Sequence, residues 1–345
     1  MDFEPNDDQV SLQGELRRFL ADRVTPEARR AIAELPGAVD RDLWRDLGGM
    51  GIFALTLPEA AGGVGLGLAD ATIVFEELGR AAVPGPVVGT FLAAGRGGDG
   101  APPEVADLLT RAAAGEAVVG IMPAGDPAFV EHLAGLDALL VVADDGVTLV
   151  DPPASSRPVD RPLDPLTPVD VVDSLPDGTP LGGPDVAAGA RSAGSVLAAA
   201  LQVGLADAAV ALATDYAKDR TQFGRVIGSF QAIKHLLADA QVQIEVARAA
   251  VQAAGVEVDD ALAAQAQDAD ALGQGDRVRV HRAVDGARIV ASRAADRATR
   301  ACIQVHGGMG FTWELDAHLY LKRALVLDVG VGSPDTAYDA LSAVL

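Results

Sequence analysis

Two segments of this 345-residue chain carry side chains whose types and spacing could do chemistry. The first runs Asp219-Arg220-Thr221-Gln222-Phe223-Gly224-Arg225-Val226-Ile227-Gly228-Ser229-Phe230-Gln231. Arginine, glutamine, an aromatic ring and glycine in one loop suit an anionic ligand with a flat ring. Guanidinium pairs with phosphate, phenylalanine stacks, and glycine admits close approach. The same residues also read as an interhelical turn with a buried phenylalanine. The second segment is Gln304-Val305-His306-Gly307-Gly308-Met309-Gly310-Phe311-Thr312-Trp313-Glu314. Its glycines end a helix and leave backbone N–H groups that can cradle phosphate. They equally suit a Schellman-type helix cap, and His306 reads first as a structural hydrogen-bonding residue. Between the segments lie Arg277, Arg279, Arg282, Arg288, Arg293, Arg297 and Arg300. A solvated helix face with ion pairs to Asp285 and Asp296 explains them most simply; holding an anionic partner is the alternative. No Walker-type loop, His-Glu-x-x-His or Gly-x-Ser-x-Gly occurs. The histidines (His132, His235, His281, His306 and His318) are scattered, and no metal site is expected.

The elements that must position these segments follow from periodicity. Residues 1–115 read as a helical region. Val10, Leu12, Leu16, Phe19 and Leu20 fall near helical spacing, and a second helix carries Leu43, Trp44 and Leu47 before Gly48-Gly49. A glycine-rich loop, Leu57 to Gly67, precedes a helix from about Leu68 to Arg80. Residues 116–185 read as a short β domain, with valine- and leucine-rich runs at 118–122, 138–143, 147–150 and 169–172. Asp144-Asp145-Gly146 forms a hairpin turn between two of them. Residues 186–345 return to helix. Phe230, Ile233, Leu237, Ala240, Ile244, Ala247 and Val251 recur at intervals of three or four on one face, with Lys234, Gln241, Glu245 and Arg248 off that stripe. Long alanine-rich helices joined by short loops suggest a bundle.

Composition narrows the function classes. With 27 basic and 49 acidic residues the net charge is -22, which repels nucleic-acid phosphates and anionic lipid. Hydrophobic residues make up 49% and aromatics 4%, so the core is aliphatic and suits close-packed helices. Cys302 is the sole cysteine, which excludes an intrachain disulfide and a multi-cysteine zinc site. The acidic start lacks the pattern of a secretory signal. The most apolar stretch, Val196 to Ala213, is interrupted by Gln202 and Asp207 and suits a buried helix better than a membrane span. A soluble cytoplasmic protein is expected.

Taken together, the motifs resemble those of the acyl-CoA dehydrogenase family over nearly the whole chain. Leu57-Pro58-Glu59 with Gly62-Gly63-x-Gly65 is similar to that family's N-terminal loop, and Glu76-Glu77-Leu78-Gly79-Arg80 to the helix after it. Arg220-x-x-Phe223-Gly224 with Phe230-Gln231 resembles the flavin-adenine motif. Gln304-x-x-Gly307-Gly308-x-Gly310-Phe311 resembles the second motif. The resemblance implies an N-terminal all-helical domain, a small middle β domain and a C-terminal four-helix bundle, assembled as a tetramer with FAD across a subunit interface. It implies that Arg220 contacts pyrophosphate, that Phe223 packs by the adenine, and that Gln222, Gln231, Gln304, Gly307 and Gly308 complete that half. The implied reaction is α,β-dehydrogenation of an acyl-CoA thioester. A glutamate removes the α proton, a hydride leaves the β carbon for the flavin, and hydrogen bonds to the thioester carbonyl stabilise the enolate.

Two departures shape the expectation. Aligned on the family, the position of the base falls at Val331 or Gly332, and the alternative position at Gly194, with Ser192 and Ser195 nearby; none is a carboxylate. The family's Thr-Glu-Pro-x-Ala-Gly-Ser-Asp-like segment falls on Gly120 to Pro127, which lacks the threonine and serine. The resemblance then implies a non-catalytic subunit of a heteromeric α2β2 dehydrogenase, as in bacterial steroid side-chain breakdown. It lends the adenine half of the FAD site to a catalytic partner that holds the acyl-CoA and passes electrons to an external acceptor. The alternatives are a self-sufficient dehydrogenase using Asp328 or Asp335 as a displaced base, and a scaffold subunit without FAD.

Overall fold

The computed structural model describes residues 5–35, 37, 39–97, 101–267, 273–330 and 332–342. The N-terminal part is helical: α1 (Asp7–Arg23), α2 (Pro26–Ala33), α3 (Arg41–Gly49), α4 (Leu68–Arg80), α5 (Val87–Ala94) and α6 (Ala106–Ala113). Side chains set several of the starts. Asn6 and Gln9 satisfy each other's backbone N–H at 2.9 Å, and Asp40 accepts from Leu43 at 2.9 Å. The first turn of α4 is capped from a distance. The Asp259 carboxylate accepts from the N–H groups of Leu68 and Ala69 at 2.7 and 2.9 Å.

The valine-rich middle forms two small sheets from β1 (Val119–Pro123), β2 (Ala128–Glu131), β3 (Ala138–Val142), β4 (Val147–Val150), β5 (Arg157–Pro158), β6 (Val169–Val172) and β7 (Gly178–Gly182). One sheet has the order β1-β3-β4-β7, the other β2-β6-β5. The hairpin expected at Asp144-Asp145-Gly146 joins β3 to β4, with Leu140 opposite Leu149. β1 pairs with β3 in parallel, so the chain between them leaves the first sheet and contributes β2 to the second.

Three long helices organise the rest: α7 (Pro184–Asp219), α8 (Gln231–Gln267) and α9 (Gln274–His306), followed by the shorter α10 (Ala317–Leu327) and α11 (Pro334–Ser342). A hairpin of β8 (Thr221–Gln222) and β9 (Arg225–Val226) links α7 to α8. By length and composition α7 could cross a membrane, but 78% of its most apolar window is buried as the core of the bundle. Its contact with α4 depends on two glycines. A Cβ at Gly204 would meet the Glu76 carbonyl, and one at Gly79 would meet that of Leu201. The buried face of α8 carries Ala240, Ile244, Ala247, Val251 and Ala254, matching the stripe in the sequence.

Charged residues tie these helices together. Glu77 is buried on α4 and receives Arg17 of α1 at 2.6 Å; neighbouring Glu76 receives Arg248 of α8 at 2.9 Å. Arg80 joins both to Asp207 of α7. Burial alone would lower the Arg248 pKa; its bonds to Glu76 and Glu245 outweigh that and raise it. Asp207 interrupts the apolar run of α7 because it reaches this network.

Candidate functional site

The helices α7 and α9 run side by side in the same direction. Asp185 meets Arg277 at 3.1 Å where they begin, and the rings of Tyr216 and His306 stack at 4.3 Å where they end. The two motif segments therefore emerge at one end of the bundle. There the β8–β9 hairpin turns on Phe223 and Gly224, both left-handed, with φ of 52° and 78°. A two-residue hairpin requires such a turn, and a phenylalanine tolerates it only at a cost. The Phe223 ring is 91% exposed, so the expected buried phenylalanine is not there. It meets the edge of Phe230 at 6.2 Å, and Arg225 lies 4.1 Å over the Phe230 ring.

Arg220 caps α7, Gln231 opens α8 and Gln304 lies in the last turn of α9; all are exposed. Among the described residues Arg220 has no carboxylate partner, whereas Gln222 donates to the Thr221 carbonyl at 2.8 Å. Gly307 ends α9 at a φ of 61°, and a Cβ at Gly307 or Gly308 would meet nothing within 4 Å. The end thus presents an unpaired guanidinium, a bare ring and an open glycine backbone, which suits a ring-bearing phosphate ligand such as the adenine half of FAD. His306 is buried and its Nδ1 lies 2.8 Å from the Cys302 carbonyl, the structural role expected of it. Burial pushes the Cys302 thiol up to about 12, so it is no nucleophile at neutral pH.

The region where a base is expected looks different. Val331 lies outside the described residues. Gly194 is buried on α7, and its neighbour Ser195 faces Gly332, whose φ is 74°. A Cβ at position 332 would overlap the Ser195 hydroxyl. Gly332 thus packs on the residue next to Gly194, and a side chain at 332 has no room unless Ser195 moves.

Beside this contact sits Arg288, 1% exposed. Its Nε donates to the Gly332 carbonyl at 2.7 Å, and its other nitrogens reach Gln202 and the Leu327 carbonyl. Gln202 and Ser292 donate to Asp328 at 2.7 and 3.0 Å, and Arg288 lies 3.6 Å from the same carboxylate. Burial lowers the Arg288 pKa to about 10, partly opposed by Asp328. The arginine run is therefore not one solvated face. Arg300 does pair with Asp296 at 2.6 Å, but Arg277 pairs with Asp185, Arg297 with Asp239, and Arg288 is inside. Sequence reasoning missed Arg288 and Gln202 as a pair. The available signal was Gln202 itself, a polar side chain in an otherwise apolar helix. Asp335 lies exposed in the first turn of α11.

A third titratable group borders a cavity of about 70 Å³ under the second sheet. Burial pushes the Glu131 carboxyl up to about 7, against the pull of Arg323. Burial also takes neighbouring His132 down to about 3, so it is neutral at working pH. The Gly120–Pro127 segment consists of β1 and the turn after it and carries no hydroxyl side chain.

The helical–β–helical plan defines a class, and comparison with known proteins identifies it. The family model for the acyl-CoA dehydrogenase N-terminal domain matches residues 6–97, and that for the C-terminal domain matches residues 182–345. An acyl-CoA dehydrogenase of Mycobacterium tuberculosis, IpdE2, is 37% identical over 321 residues, covering 93% of this chain and 92% of that protein. The IpdE2 of Mycolicibacterium smegmatis is 36% identical over 87% of this chain and 86% of its own length. Among solved structures, the ChsE4–ChsE5 complex of Mycobacterium tuberculosis superposes with a TM-score of 0.82 at 23% identity, covering 99% of this chain and 98% of that one. A Tcur3481–Tcur3483 steroid ACAD variant superposes with a TM-score of 0.79 at 26% identity, covering 98% and 97%. The chain belongs to the acyl-CoA dehydrogenase family of oxidoreductases.

Proposed function

We propose that this chain is the non-catalytic subunit of a heteromeric acyl-CoA dehydrogenase, an α2β2 assembly in which it lends the adenine half of the FAD site to a catalytic partner. The observation that carries this is the Ser195–Gly332 contact. At Gly332 a side chain would overlap the Ser195 hydroxyl, and neither Gly332 nor Gly194, the other expected position, offers a carboxylate. Arg288 engages the surrounding acceptors, and the Asp328 carboxylate already accepts from Gln202 and Ser292. A carboxylate so engaged is poorly placed to take an α proton.

On this reading Arg220 pairs with the pyrophosphate, Phe223 lies against the adenine, and Gln222, Gln231, Gln304, Gly307 and Gly308 complete the edge. FAD, when bound, supplies the oxidising power. This chain binds and orients its nucleotide end, while the partner holds the acyl thioester, the base and the flavin ring and reduces an external electron acceptor. The division into a helical domain (1–115), a short β domain (116–185) and a helical bundle (186–345), and a cytoplasmic location, belong to the same proposal. Support comes from the heteromeric neighbours, ChsE4–ChsE5 and Tcur3481–Tcur3483, the second named for a steroid substrate class. A bulky steroid thioester is accordingly the first substrate class to try.

The test is to purify the chain alone and co-expressed with a neighbouring dehydrogenase-like protein, then measure flavin content and acyl-CoA-dependent dye reduction. Flavin and turnover in the mixed complex alone, with one FAD for every two chains, is the expected result. One FAD per chain with turnover from this chain alone overturns it and makes Asp328 and Asp335 the residues to examine.

A further inference from the structure

The small cavity under the second sheet has one polar side. The end of α4, the turn into α5, β1 and α7 line it with uncharged side chains only. The titratable and charged groups come from three places. β2 leads into Glu131 and His132, the connection from β5 to β6 carries Asp164, and α10 supplies Arg323.

Arg323 is fully engaged. Its Nε donates to the Asp164 carboxylate, and its other nitrogens donate to the Val83 and Leu166 carbonyls at 3.0 and 3.2 Å. Asp164 is buried and also accepts from the Leu166 N–H at 3.0 Å and the Thr167 hydroxyl at 2.7 Å. One guanidinium thus fastens α10 to the α4–α5 turn and to the β5–β6 connection. The chain leading into that connection is lightly held: residues 154–161 are exposed, and β5 is two residues long.

Glu131 and His132 are not engaged in this way. The Glu131 carboxyl has no hydrogen-bond or ion-pair partner among the described residues. His132 is 2% exposed, and its Nδ1 has no partner there either. Two carboxyls therefore share one guanidinium. Away from water one cation compensates one anion, and Asp164, with three donors, is the carboxylate that keeps it. Glu131 is left to hold its proton, in line with burial raising its carboxyl to about 7 against the pull of Arg323. His132, kept neutral by burial, adds no charge. A cavity of this size and polarity has room for water, which can carry a hydrogen bond from the Glu131 carboxyl toward Nδ1.

We propose that Glu131 is a proton-operated latch on Arg323. Protonated, it leaves the guanidinium with Asp164 and the Val83 and Leu166 carbonyls. Ionised, it is a second carboxylate beside the same cation and draws the guanidinium off those carbonyls, so that α10 loses its grip on the β5–β6 connection. The latch belongs to the folded chain and does not depend on the subunit reading.

The test is hydrogen–deuterium exchange of the 345-residue chain, alone or in its co-purified assembly, at pH 6 and pH 8, with rates corrected for intrinsic exchange. The amides of Leu166 and Thr167 report the clamp, since both are bonded to Asp164. Their exchange should rise about tenfold between the two pH values, the linkage expected of a carboxyl at about 7 when closed and at its ordinary 4.5 when open. They should exchange ahead of the α8 core and be indifferent to low urea, as a local opening is. Glu131→Gln carries no charge and should abolish the rise. Infrared difference spectra between the same pH values should show the loss of a protonated carboxyl that is missing from Glu131→Gln. Exchange at Leu166 and Thr167 that does not rise, that rises equally in Glu131→Gln, or that keeps pace with α8 at both pH values overturns the latch. An infrared difference unchanged by the substitution overturns it as well.

Discussion

The exposed end of the bundle and the Arg288 region differ in how their polar groups are engaged. At the end, Arg220, Gln231 and Gln304 have no side-chain partners among the described residues, and the Phe223 ring is bare. Around Arg288, donors and acceptors answer one another: Gln202, Asp328, Ser292 and two backbone carbonyls are joined. Unengaged groups on a strained turn await something from outside the chain. Mutually satisfied groups hold the chain itself together. On the proposed reading, only the first has the form of a binding edge.

The comparison breaks most sharply at Arg288. Arg288→Met leaves the Gln202 side-chain oxygen and the Gly332 and Leu327 carbonyls without their donor and takes the cation from beside Asp328, and the apparent unfolding free energy in urea should fall by about 3–5 kcal/mol. Gly332→Ala comes next. Its Cβ meets the Ser195 hydroxyl on a left-handed backbone, for a loss of about 2–3 kcal/mol, and Ser195→Gly in the same chain should restore part of it. A denaturation series that places either variant within 0.5 kcal/mol of the parent, the typical range of surface changes, removes the claim that this region is structural.

A pH series sharpens the picture at the second sheet. Burial raises the folded-state pKa of Glu131 from its ordinary value of 4.5 to about 7, so the folded chain keeps a proton that the unfolded chain has released. Stability therefore falls as pH rises from about 4.5 to about 7. Glu131→Gln should flatten that slope, raising the urea midpoint at pH 8 and leaving it nearly unchanged at pH 4. The smallest effects on stability belong to the exposed end. Arg220→Ala and Phe223→Ala should each change it by no more than about 0.5 kcal/mol. Both should nevertheless lower the flavin retained by the assembly after gel filtration. Unchanged flavin content in both would count against the proposed edge.

Much of the frame was legible in the sequence because it rests on local rules. The helix over 68–80, the β3–β4 hairpin and the α8 stripe follow from periodicity and turn chemistry. The motif loops were legible too, since glycine and an aromatic at fixed offsets mark them. The orientation of Phe223 was not. A buried ring and a bare one have the same spacing, and only the left-handed turn decides. Nor could Arg288 be told from the other arginines of α9, because its partners Gln202 and Asp328 come from α7 and the end of α10. The meeting of Ser195 with Gly332 depends on the packing of helices distant in the chain, which no local pattern encodes.

The length of α7 has a consequence of its own. Ser195 and Arg220 lie on one continuous helix, and at 1.5 Å rise per residue they stand roughly 38 Å apart. Ionic screening in the cell extends about 8 Å. Arg288 pairs with Gln202, roughly 27 Å from Arg220 along the same helix, a separation at which one charge shifts another's energy by less than about 1 kcal/mol, so a change of protonation at either place barely alters the other's affinity. A lineage can then lose its proton-transfer chemistry one substitution at a time without any of those substitutions weakening the distant nucleotide edge. Selection is free to keep the edge for a different protein's benefit.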